Sequence, residues 1–143
     1  MANIGNPKDY LILTNNPLIV ECLDGKGTWT IDFHPELKFR EILVKARDMV
    51  YAGHLLYTHP LSGSVKPNET PYKSIILSVE PHGMDNDHAV MIANAIEVTD
   101  KFQILDWSHY EPAMKDFRLI DYTLICGAIG FDALSGLSNK QSL

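Results

Sequence analysis

Ser62-Gly63-Ser64, with Lys66 two residues further on, is the stretch of this sequence best suited to chemistry. Consecutive backbone N–H groups in such a segment can cradle an anion, and a nearby ammonium supplies the counter-charge. The surrounding run, Thr58 to Pro71, adds a hydroxyl at Thr70, an amide at Asn68 and ionisable groups at His59 and Glu69. An imidazole such as His59 can give or take a proton near neutral pH. The competing reading is a loop stiffened by Pro60, Pro67 and Pro71, whose Ser and Asn residues satisfy only their own backbone. Long loops are uncommon in compact domains and often functional, which favours the first reading.

Asn15 and Asn16 follow a short apolar run and offer amides to a polar ligand, or turn and cap chemistry to the next segment. His82-Gly83-Met84-Asp85-Asn86-Asp87-His88 contains metal-ligating residue types. Its spacing matches no zinc or calcium signature, and Gly, Asn and Asp before a helix are what a turn and cap require. No metal and no cofactor are therefore expected. Gly25-Lys26-Gly27-Thr28 lacks the spacing of a phosphate-binding loop, and Ser62 and Lys66 stand one position too far apart for S-x-x-K. Cys22 and Cys126 have no electropositive sequence neighbours and read as packing residues. The sequence thus offers ligand-binding candidates, Asn15, Asn16, His59, Ser62, Gly63, Ser64, Lys66, Asn68 and Glu69, without a complete catalytic template.

The elements that must position these residues are partly legible. Tyr10–Thr14 and Thr28–Phe33 read as strands. Leu18–Leu23 fits either a short helix or an extended piece. Phe39, Ile42, Leu43, Ala46, Met49 and Val50 form one apolar stripe, predicting a helix over Pro35–Ala52 that Gly53 can stop. His54–Thr58 and Ile75–Val79 read as a third and fourth strand, Met84–Phe102 as a second helix, and Ser108 to about Ser135 as a last one. Strands alternating with helices predict an α/β domain. The expected core is a small, mostly parallel four-stranded sheet of Rossmann or flavodoxin-like order 2-1-3-4, flanked by helices. Ligands of such sheets bind beyond the carboxyl ends of the strands, where Asn15-Asn16 and the loop from His59 would meet.

The 143 residues fit one domain, 1–143, with residues 1–8 and 136–143 expected to be loose termini. The hydrophobic fraction of 45% argues against disorder. A formal charge of -6 and the lack of a basic stripe exclude general affinity for nucleic acid. The longest apolar stretch, Tyr122–Phe131, is too short to span a bilayer. No secretory leader pattern opens the chain, so a cytoplasmic protein with reduced thiols is expected. On the last helix, Met114, Phe117, Asp121, Leu124 and Ala128 share one row, while Leu119, Tyr122, Cys126 and Ile129 add a second apolar stripe. Two stripes on one helix predict burial against a second copy, giving a homo-oligomer, or deep insertion into the monomer's own core.

The runs YLILTNNPLIVE and RDMVYAGHLLYTHPLSGSVKPNETPYKSIILS, with the later helix over Ile92–Phe102, resemble the GrdX family across roughly residues 10 to 130. The HPLSGSVKPNETPYKS run is the specific part. Members of that family are encoded beside components of glycine, sarcosine and betaine reductases in anaerobic amino-acid-fermenting bacteria. The resemblance implies that setting and possible reductase partners, but no reaction and no catalytic residue. The expectation is an accessory protein that binds a small anionic metabolite. The alternatives are a small enzyme acting on an amino-acid-derived or phosphorylated metabolite at the 59–71 loop, with His59 as acid or base, and an interaction subunit of a reductase complex.

Overall fold

The computed structural model describes residues 10–63 and 66–141. Three strands, β1 (Tyr10–Thr14), β2 (Thr30–Phe33) and β3 (Ser74–Ser78), form one sheet of order β2-β1-β3. β2 runs parallel to β1 and β3 antiparallel to it, with Thr14 opposite both Phe33 and Ser74. The chain is α/β, but the expected four-stranded, mostly parallel sheet of order 2-1-3-4 is overturned by this mixed three-stranded one.

The discrepancy lies at His54–Thr58. This segment runs beside β3 and makes only an isolated antiparallel bridge, Leu56 to Leu77. Two backbone bonds cross to β3, from the Tyr57 N–H to the Ile76 carbonyl (2.8 Å) and from the Ser78 N–H to the Leu55 carbonyl (2.9 Å), while side chains take the other positions. The Leu55 N–H donates to the Ser78 hydroxyl, the Leu56 N–H to His88 Nδ1, and the Ile76 N–H to the Thr58 hydroxyl. A regular ladder needs those positions paired backbone to backbone as well, so only an isolated bridge forms here. The segment also sits outside the strand that follows it, so the order expected at that end is reversed.

The helices are α1 (Pro17–Leu23), α2 (Phe39–Tyr51), α3 (Asn86–Thr99), α4 (Glu111–Ile129) and α5 (Ala133–Gln141). Strand alternation divides the core between the two faces of the sheet. Tyr10, Ile12 and Ile76 face α1 and α4, whereas Leu13, Ile75 and Leu77 face α2 and α3. The last predicted helix is two. Gly130 adopts a left-handed φ of 72°, which ends α4 because a residue without Cβ takes that conformation without strain. Tyr122, Cys126 and Ile129 are buried within the monomer, while Leu119 and Leu124 are each about 40% exposed. Among the described residues, no helix is long and apolar enough to cross a membrane.

Candidate functional site

β1 ends where β3 begins, so Thr14-Asn15-Asn16 lies against Lys73-Ser74 at one edge of the sheet. α4 crosses that edge and brings Asp121 to it. The polar groups form a closed circuit. The Asn16 N–H donates to the Thr14 hydroxyl (2.9 Å), which contacts the Ser74 hydroxyl at 2.7 Å. Ser74 Oγ donates to Asp121 Oδ2 at 2.6 Å, and Asn16 Nδ2 donates to the same oxygen at 3.0 Å. With the Ser74 proton committed to Asp121, the Thr14 hydroxyl is left to donate to Ser74. Burial is the largest influence on Asp121 and raises its carboxyl above the usual range, against the opposing pull of Ser74, Asn16 and Lys73.

Lys73 is the exception in this well-satisfied edge. Its backbone is pinned by Asn15, whose Oδ1 accepts the Lys73 N–H at 2.9 Å. Its side chain is only 6% exposed. The ammonium lies 5.7 Å from the centre of the Phe39 ring. Among the described residues it has no hydrogen-bond acceptor and no carboxylate within 4.0 Å. The Tyr10 hydroxyl is the fully buried side-chain polar atom left without a partner among the described residues, so the Lys73 ammonium, without an acceptor, still reaches open space, where a charged group favours a partner of opposite sign. Burial lowers its pKa to about 8, against the pull of the Asp121 carboxylate.

Two adjoining cavities open between α4 and residues 58–63 and 67–74, and Lys73, Asp121, Ser62 and Leu124 border both. The inner one, reached also by Thr58 and Ser74, has a volume of about 150 Å³. That is room for a molecule of a few heavy atoms, since liquid water takes about 30 Å³ per molecule. Gly63 has a φ of 117°, and a Cβ there would fall 2.8 Å from Leu124 Cδ1. Glycine thus lets the loop close onto α4 and form the cavity wall.

The residues singled out from sequence divide into three groups. Ser62 and Gly63 border the cavities. Asn15, Asn16 and Asn68 are buried and already engaged. Asn15 donates to the Leu37 and Pro71 carbonyls, Asn16 caps α1 through the Leu18 N–H, and Asn68 donates to the Thr99 and Phe102 carbonyls at the end of α3. His59, Lys66 and Glu69 line neither cavity. His59 Nδ1 accepts the Leu61 N–H, Lys66 is exposed, and the Glu69 carbonyl accepts the Trp107 indole N–H. Ser64 lies outside the described residues. Asp85 caps α3 by accepting the His88 N–H at 3.0 Å.

A family model described as GrdX-like protein matches residues 11–130. The chain belongs to the GrdX-like family. No curated protein and no solved structure matches it. The matched span contains Thr14, Asn16, Lys73, Ser74 and Asp121, so the whole circuit and its unpaired lysine lie within the part that defines GrdX-like membership.

Sequence reasoning did not find Lys73 or Asp121 as site residues. Two signals pointed to them. Asp121 interrupts an otherwise apolar row of α4, and Lys73 stands directly before the buried strand Ser74–Ser78. A charged residue on a core-facing position requires a compensating partner.

Proposed function

We propose that this GrdX-like protein is a non-catalytic accessory protein that binds a small anionic metabolite in the cleft between α4 and residues 58–63 and 67–74. Lys73, rather than Lys66, provides the charge that holds the ligand. The observation carrying this reading is Lys73, a buried residue that borders both cavities and whose ammonium has no acceptor among the described residues. Ser62, Ser74 and Thr58 border the inner cavity and add hydroxyls suited to a carboxylate or phosphate. The setting, cytoplasmic and linked to glycine reductase-type amino-acid fermentation, is supported by the family resemblance alone.

Calorimetry with lactate and with inorganic phosphate tests the reading. Lys73→Met is expected to weaken binding at least about tenfold, equivalent to ~1.4 kcal/mol, whereas Lys66→Ala leaves it unchanged. Equal affinity in the wild type and Lys73→Met, or equally tight binding of uncharged lactamide, would contradict it. Co-purification with reductase components tests the setting separately.

A further inference from the structure

A primary amine on a buried residue that borders a small cavity, with no acceptor among the described residues, is a nucleophile as well as a cation. We propose that Lys73 forms a reversible imine with a small carbonyl-bearing carboxylate, an oxo acid of a few carbons, inside the inner cavity. This rests on the reading that an anion occupies that cleft, and it names the ligand class.

The geometry meets the requirements of the step. The backbone of Lys73 is fixed on both sides. Asn15 Oδ1 accepts its N–H, and its carbonyl accepts the Asn15 N–H at 3.4 Å. Lys73 borders a space of about 150 Å³, together with hydroxyls and the apolar side chains of Leu124 and Ile125. Asp121 borders the same space and is the acid within reach of the chemistry. Burial also leaves the amine about half unprotonated near pH 8. An ordinary exposed lysine keeps only about one neutral amine in a thousand at pH 7.4.

The step balances without an oxidant or reductant. The Lys73 ammonium first gives a proton to the Asp121 carboxylate; the neutral nitrogen then attacks the carbonyl carbon, forming the C–N bond, and one of its protons passes to the carbonyl oxygen to give a carbinolamine. Asp121 delivers a proton to the departing hydroxyl, which leaves as water, and the nitrogen lone pair forms the C=N bond. The protonated imine retains the positive charge of the lysine, so it still pairs with the ligand carboxylate.

The test uses the full chain with pyruvate and sodium cyanoborohydride, which reduces an imine to a stable secondary amine. Intact mass and peptide mapping read the product. The expected result is one adduct per chain, a gain of pyruvic acid less one oxygen, on the Lys73 peptide. It should form more than about tenfold faster than on any exposed lysine. Lys73→Arg, which keeps the charge without a transferable amine pair, should lose the adduct. Asp121→Asn should slow trapping on the order of 10²-fold, and an unchanged rate would overturn the proton transfer assigned to it. Adducts spread over surface lysines, or none at Lys73, would overturn the proposal. Calorimetry with lactate, which has the same carbons and charge but no carbonyl, separates the two readings. Lactate binding that depends on Lys73 without trapping leaves the anion site standing and removes the imine. Loss of both removes both.

Discussion

Asp121 and Tyr122 are consecutive residues of α4, yet one faces the polar sheet edge and the other the packed contact with α1 and α5. Around Tyr122 packing dominates, and the Tyr10 hydroxyl in the same core is buried without a partner among the described residues. The Tyr122 hydroxyl donates to the Ala133 carbonyl at 2.8 Å, and its ring is fully buried. Gly136 lets α5 approach so closely that a Cβ there would meet the Tyr122 hydroxyl and the Cys22 Cβ and carbonyl. Cys22 and Cys126 are both buried thiols outside any disulfide, and burial pushes the Cys126 thiol up to about 11, which keeps it protonated and unreactive. Around Asp121 the circuit is closed, but the neighbouring Lys73 is left over. The first region spends its burial on stability. The second carries a cation without an acceptor among the described residues, which is the basis of the proposed anion site.

Four measurements press on that contrast. Tyr122→Ala should cost about 3–5 kcal/mol in urea unfolding, the range for deleting a large buried aromatic. A loss under 1 kcal/mol would mean the packed side is not packed. Gly136→Ala should cost about 1–3 kcal/mol, because the added methyl has no space and must displace Tyr122 or α1.

The two regions should also respond to pH with opposite sign. The unfolded Lys73 holds its proton to 10.5 and the folded one to about 8. Above pH 8 the unfolded state therefore binds more protons, and stability rises by up to about 1.4 kcal/mol per pH unit. The Cys126 thiol behaves oppositely. Unfolded it loses its proton at 9.0, folded at about 11, so it lowers stability as pH rises above 9. Unfolding measured from pH 8 to 9 should show the rise in the wild type and none in Lys73→Met. A rise that survives the substitution would assign it to another group. The smallest effect is expected at Lys66, which is exposed, where Lys66→Ala should change stability by no more than about 0.5 kcal/mol.

Local patterns were legible in the sequence where local forces decide. The apolar stripe Phe39–Val50 gave α2, and the Asn before Pro17 gave a capped α1 start, one of the two readings open for Leu18–Leu23. The strand at His54–Thr58 was misread because the side chains of Ser78 and His88, distant in sequence, and of its own Thr58 take some of the hydrogen bonds a regular ladder would have made. The site was misread for a related reason. The 59–71 loop showed its polar residues, and their types suggested an anion. Which of them turn inward is set by α4 and by the end of α3, where Asn68 is consumed in holding the loop rather than a ligand. Lys73 and Asp121 are 48 positions apart, and only the antiparallel placement of β3 beside β1 brings them to one edge.

The central claim is that Lys73 is a buried residue whose ammonium takes an anion as its missing partner. Chain labelled with 13Cε lysine, titrated by NMR with and without lactate or phosphate, tests it directly. One lysine signal should titrate near 8 in the free protein, be absent in Lys73→Met, and move to higher pH when the anion is added, because a bound anion favours the charged form. A spectrum in which every lysine titrates at the ordinary value of about 10.4, or in which the Lys73 signal ignores both anions, would contradict the account.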